Sequence, residues 1–172
     1  MISNPSQVPI TIDVEASGFG RGSYPIEVGF ITGNGDAHCK LISPCESWTH
    51  WDPEAEAVHG VSREILADHG HPARSIAEWL NQHLAGQTVY SDAWANDMSW
   101  LGTLFNEVEL PQRFRIESIL VLLDPEQTNR WDSTKQTMID THQSIRHRAS
   151  SDARTVQQTF MALQEPQQHY YR

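Results

Sequence analysis

The stretch Ile10-Thr11-Ile12-Asp13-Val14-Glu15-Ala16-Ser17-Gly18 constrains this chain most, because a run of β-formers ends there in two carboxylates. Side chains of an extended strand alternate faces, so Asp13 and Glu15 project to the same side. Two like charges held side by side repel, and a divalent cation between them is the simplest relief. An ordinary acidic strand end facing water is the competing explanation. Against it stand Val8, Ile10 and Ile12, which make the strand read as buried, and a buried strand ending in two acids needs a reason.

With 172 residues the chain is read as one domain, 1–172, with a core over about 8–164 and a polar tail over 165–172. A second strand is expected over Ile26 to Thr32. The Gly33-Asn34-Gly35-Asp36 turn leads to a third over Ala37 to Ile42, and such short connections favour antiparallel pairing. From Ser43 to His71 the pattern is irregular, apart from a short helix through Arg63 to Leu66 capped by Ser62. Helical spacing of Ile76, Ala77, Leu80 and Leu84 gives a helix over Ala73 to Leu84. Thr88 to Ser91 reads as a fourth strand and Asn96 to Asn106 as a helix. Phe114 to Ile116 gives a short fifth strand running into Ile119 to Leu123. A weakly amphipathic helix covers Thr128 to His147, and a last helix, capped by Ser150 or Ser151, runs through Leu163 to Glu165-Pro166. Strands followed by alternating helices and strands imply an α/β domain. Its sheet is mixed and five-stranded, with the first three strands antiparallel and helices on the faces.

Charge narrows the function. A net charge of −10 argues against a protein that coats long nucleic acid by phosphate neutralisation, but not against one that grips a strand end through cations held on acids. No apolar run is long enough for a bilayer and no leader pattern opens the chain, so no membrane partner and a cytoplasmic location are expected. Cys39 and Cys45 are too few for a disulfide framework or a zinc-ligand set and read as free thiols.

Hydrolysis of a phosphodiester with two cations needs several carboxylates around the pair, and Mg²⁺ or Mn²⁺ prefers such oxygen ligands. Asp13 and Glu15 can be only half of that set. Asp97, in the first turn of a helix, and Asp152, at the start of the last helix, are placed to complete it, although each could instead serve its helix dipole or cap. Asp92 competes with Asp97. Five residues before Asp152 stands His147, whose near-neutral titration suits it to accept a proton from water.

At these residues the sequence resembles the DEDDh family of 3′-5′ exonucleases, the group of RNase T, oligoribonuclease and bacterial DNA polymerase proofreading subunits. Ile12 to Gly18 is similar to the first motif, and Pro25-Ile26-Glu27-Val28-Gly29 to the family's second strand. Tyr90 to Asp97, followed by Leu101, is similar to the second motif, and His147-Arg148-Ala149-Ser150-Ser151-Asp152-Ala153 to the third. His59-Gly60-Val61 resembles the family's His-Gly-Ile element. The resemblance implies a ribonuclease H-like fold and removal of nucleotides from a 3′ end. Asp13, Glu15, Asp97 and Asp152 would hold two Mg²⁺ or Mn²⁺ ions, and His147 would deprotonate the attacking water. Arg148 stands where a tyrosine branch of the family would need Tyr. By the same similarity Ala16, Ser17, Gly18 and Phe19 would meet the terminal nucleotide and His59 would reach the substrate, with Phe19 able to stack on a base. Two departures, Ala16 for Thr and Asp92-Ala93 for His-Asn, bear on substrate preference.

The implied substrate is a single-stranded RNA or DNA 3′ end or a short oligonucleotide, released as nucleoside monophosphates. A homodimer is expected by analogy. A noncatalytic nucleic-acid-binding domain that keeps the fold is the alternative. Of the six tryptophans, Trp79 and Trp100 fall in helical patterns and read as core, whereas Trp48, Trp51 and Trp94 lie near the acids and one of them could stack on a base.

Overall fold

Strand β1 (Thr11–Ala16) sits inside the sheet with a different chemistry on each side. The computed structural model describes residues 8–142 and 147–165. Ile12 and Val14 point into the main core, while Thr11, Asp13 and Glu15 point to the opposite face, as strand alternation requires. β1 pairs antiparallel with β2 (Pro25–Ile31), and β2 with β3 (Ala37–Ser43). On its other side β1 runs parallel to β5 (Thr88–Ser91), which is parallel to β6 (Arg115–Ser118). The expected α/β class, mixed sheet and antiparallel opening are all present.

The sheet has six strands where five were expected, in the order β4-β3-β2-β1-β5-β6. The extra strand, β4 (His71–Pro72), is two exposed residues pairing parallel with Ile42 and Ser43. A dipeptide with no alternation leaves no strand signal in a sequence.

Between β3 and β4 lie two seven-residue helices, α1 (Pro53–His59) and α2 (Arg63–His69). The segment of α1 was expected to be irregular. Its start is nonetheless well signalled, with Asp52 accepting from the Glu54 amide and Pro53 at the first position. Seven residues are too few to show a periodic apolar face. Ser62 caps α2 as expected, accepting from the Ile65 amide. Helices α3 (Ala73–Leu84) and α4 (Trp94–Glu107) bury Ile76, Leu80, Leu84, Leu101 and Leu104 on the Ile12–Val14 face.

A 3₁₀ turn (Ile119–Leu122) leads into α5 (Pro125–His142), and α6 (Ala149–Gln164) ends the described chain. The expected extension of α5 over 143–146 and the stop at Pro166, like the tail 166–172, lie outside the described residues. Trp131, Ile119, Val156, Phe160 and Leu163 form a second, smaller core between α5 and α6. Helix α6 thus covers the acid-bearing face of β1 and β2. Its small residues Ala149 and Ala153 are fully buried there, and Thr11 Oγ1 donates to Ala153 O at 2.7 Å. The N-cap of α6 is Arg148, whose side chain makes no cap bond, and not the expected Ser150 or Ser151. Cys39 and Cys45 are free thiols, as expected.

Candidate active site

The register between β1 and β2 sets the geometry of the site. Asp13 lies opposite Gly29 and Glu15 opposite Glu27, so these four positions share one face of the sheet. Pairing shifts between Glu15 and Ala16, which ends the strand just past the second acid. The segment leading into α6 comes down on this face. Glu15, His147 and Asp152 each offer a ligand atom there, all within 4.8 Å of one another. The His147 amide donates to Asp152 Oδ2 at 2.8 Å, closing a small loop in which His147 has a φ of 61°.

Asp97 reaches the same region from the first turn of α4 at the end of β5. It is buried, its Oδ2 accepts from Ser91 Oγ, and among the described residues its Oδ1 has no hydrogen-bond partner. Burial raises the carboxyl of Asp13 well above the usual range, and the charges of Asp97, Glu15 and Asp152 raise it further. Burial, then Asp152 and Glu27, push Glu15 up to about 7. Burial likewise raises Asp97 to about 7, against the bond from Ser91, with Asp92 adding to the rise. The sequence-predicted acids Asp13, Glu15, Asp97 and Asp152 are therefore close enough to feel one another, though brought in from β1, α4 and α6. Four oxygen-donor groups, of which Asp13, Glu15 and Asp97 have raised affinity for protons and Asp97 has a buried oxygen without a partner among the described residues, fit a hard divalent cation such as Mg²⁺ or Mn²⁺.

Basic residues separate the acids into two sets. Asp92 forms an ion pair with Lys135 of α5, and Glu27 one with Arg148. Among the described residues no ion pair reaches Asp13, Glu15 or Asp97. Glu27 and Asp92 thus already have cationic partners, whereas Asp13, Glu15 and Asp97 have none among the described residues. Glu27 and Arg148 had no assigned role in the sequence. The available signal was a lone acid in an otherwise apolar strand, Pro25–Ile31, all of it buried. Lys135 sits in a polar helix and gave none.

The loop after β1 is held rather than free. Ser17 is buried, its Oγ lies 2.9 Å from His50 Nδ1 and accepts from the Tyr24 amide, and the Asp52 amide donates to Ser17 O. Gly18, at φ 140°, leaves no space for a Cβ, which would lie 2.6 Å from the Asp52 Cβ. Ala16 is buried, while Phe19 is 69% exposed with its ring 5.7 Å from that of Trp100. His59 is buried, with Nδ1 accepting from the Val61 amide and Nε2 without a partner among the described residues; burial lowers its pKa. Among the tryptophans, Trp48 and Trp100 are buried and Trp51 is held by a bond from Nε1 to Glu56 Oε2 at 2.7 Å. Only Trp94 of the three flagged near the acids is exposed, and its indole N–H is fixed on Ile116 O at 3.0 Å. No helix among the described residues is long and apolar enough to cross a membrane.

No family model and no curated protein match the chain. Solved structures do. E. coli exonuclease I in complex with a dA16 oligonucleotide superposes with a TM-score of 0.69 at 12% identity, covering 90% of this chain and 39% of that one. The zinc-bound form of the E. coli exonuclease I–ssDNA complex gives 0.67 at 12% identity, again covering 90% and 39%. Exonuclease I from Methylocaldum szegediense gives 0.64 at 14% identity, covering 92% of this chain and 41% of that one. The chain therefore has the fold of the matching part of exonuclease I and spans about two fifths of the length of these structures.

Proposed function

We propose that the protein is a metal-dependent 3′-5′ exonuclease acting on single-stranded nucleic acid ends or short oligonucleotides. The observation that carries this reading is the approach of Glu15, His147 and Asp152 to within 4.8 Å on the sheet face that also holds Asp13. A domain kept only to bind strands has no use for several carboxylates raised toward neutrality by burial and by each other's charge. Asp13, Glu15, Asp97 and Asp152 would hold two Mg²⁺ or Mn²⁺ ions, whose positive charge would offset that of the phosphate and of the departing oxygen.

The chain's own residues do the rest. The nucleophile is water, and it loses a proton to the His147 imidazole as its oxygen bonds to the terminal phosphorus. The bond from phosphorus to the 3′ oxygen of the preceding nucleotide breaks, that oxygen takes up a proton, and a nucleoside monophosphate leaves. The left-handed backbone at His147 and its amide bond to Asp152 hold the ring over the acids before substrate arrives. Ala16, Ser17 and Gly18 form a rigid edge for the terminal nucleotide, with Phe19 offering an exposed face for its base. His59, with one ring nitrogen unpartnered among the described residues, would complete that pocket. RNA and DNA ends both fit this scheme, and a cytoplasmic homodimer is its expected form.

The test is product analysis on end-labelled single-stranded RNA and DNA oligomers with free or blocked 3′ ends. The proposal expects stepwise release of mononucleotides in Mg²⁺ or Mn²⁺. Asp13→Asn and His147→Ala proteins should fold yet lose hydrolysis by about 100-fold or more. Turnover that persists in EDTA, or tight strand binding with no turnover, sinks it.

A further inference from the structure

Glu27 is the only charged side chain of β2, has no exposed surface, and gives both carboxylate oxygens to the segment that carries His147 and Asp152. Its Oε2 accepts from the Ala149 amide at 2.9 Å. The Arg148 guanidinium spans the same carboxylate, with Nε 3.0 and 3.1 Å from its two oxygens and Nη2 2.6 Å from Oε1. Two residues further along the strand, on the same face, Gly29 lets the helix start lie flush on the sheet, since a Cβ there would come within 2.3 Å of the Ser150 nitrogen. Glu27 also lies directly opposite Glu15. A short rigid path therefore joins Glu15, through one strand pairing and one carboxylate, to the two residues that immediately follow His147.

We propose that Glu27 is a positioning residue: through Arg148 and Ala149 it fixes how far His147 and Asp152 stand from Glu15. The proposal deepens the exonuclease reading and rests on it for the reaction, whereas the arrangement it explains is one of geometry. A side chain that only anchored α6 could grip the helix anywhere along its length. Glu27 grips it at the N-cap and first residue, where a displacement passes undiminished to the imidazole on one side and to Asp152 three residues on. Misplacement of a reacting group by about an ångström is enough for a 100-fold loss of rate.

The experiment compares Glu27→Ala, Arg148→Ala, Arg148→Lys and the double variant Glu27→Ala/Arg148→Ala with the parent chain. It reads melting temperature, Mn²⁺ affinity by equilibrium titration, and kcat and KM on a single-stranded oligomer. Positioning predicts that Glu27→Ala weakens Mn²⁺ binding and lowers kcat by about 10- to 100-fold each, with KM nearly unchanged. Arg148→Lys should recover part of the Arg148→Ala loss, because charge is kept and the two-pronged contact is not. The double variant should be no worse than Glu27→Ala alone, since both substitutions break one linkage. Mn²⁺ affinity and kcat within about twofold of the parent, alongside a lower melting temperature, would make the contact merely structural and overturn the proposal. Should Glu27→Ala fail to fold, Arg148→Lys decides, because it keeps a cation beside the buried carboxylate while breaking the two-pronged contact. A parent that binds Mn²⁺ and loses it on substitution, yet cleaves no oligomer, overturns the exonuclease reading and leaves the positioning intact. A parent that binds no Mn²⁺ overturns both.

Discussion

A histidine at φ 61° occupies backbone space that costs an ordinary L residue about 1–2 kcal/mol, and the chain accepts this immediately before α6. The cost is met by the amide bond to Asp152 and by the docking of Arg148 on Glu27. Asparagine tolerates the same backbone far better than most residues. His147→Asn should therefore keep the loop and the melting temperature, while removing the proton acceptor and slowing hydrolysis by about 100- to 10,000-fold. Equal losses of stability and activity in a thermal melt and a rate assay would count against that assignment. The inner acids give a second expectation. Glu15 and Asp97 titrate near 7 in the folded chain, against 4.5 and 3.8 when unperturbed, so the folded form retains protons that the unfolded chain has released. Stability from this source is complete below about pH 4 and is lost as pH rises through about 7. In EDTA the melting temperature should fall between pH 5 and pH 8, by several degrees at about 2–4 °C per kcal/mol for a domain of this size. Added Mn²⁺ should reverse the fall, most strongly at the higher pH. A melting temperature that climbs with pH in EDTA would contradict the assignment.

Among the elements, the contact between β2 and α6 is tight and sensitive to volume. Gly29→Ala would drive a methyl group into the backbone of Ala149 and Ser150, 2.6 and 2.3 Å away, and neither can swing aside as a side chain would. A loss of about 1–3 kcal/mol is expected in urea unfolding, together with lost hydrolysis. Gly102→Ala is the control: nothing lies within 4 Å of its Cβ in the middle of α4, so it should gain about 1 kcal/mol. Much of this level was legible in the sequence, because β1, β2, β3, β5, α3 and α4 announce themselves by alternation or by helical spacing. The motifs around Asp13, Glu15, Asp97, His147 and Asp152 pointed to one site. Helix α1 was missed because seven residues cannot display a period, and β4 because two residues cannot alternate. The Glu27–Arg148 and Asp92–Lys135 pairs were illegible for another reason. They join residues 121 and 43 positions apart, and nothing local marks such partners.

For the molecule as a whole, charge and size bear on the kind of strand it can hold. A chain with net charge −10 repels a polyanion at long range, so in the proposed exonuclease the attraction would come from cations gathered on the inner acids and from stacking on surfaces such as Phe19. That combination favours a grip on a few terminal nucleotides. Exonuclease I structures extend well beyond the part that this chain matches, which covers 39% of the E. coli protein in its dA16 complex.

The site is also divided along the chain. Asp13 and Glu15 come from the first described strand, His147 from the segment leading into α6 and Asp152 from α6 itself, with Thr11 and Ala153 bonded across 142 positions. Such distant partners meet only after large loops have closed, so a half-folded intermediate has no means of cleaving anything. On dilution from urea, hydrolysis should return with the slowest phase of tryptophan fluorescence and never ahead of it. On the proposed function, hydrolysis by this chain would double as a readout of complete refolding, and a newly made chain would lack it until α6 has docked.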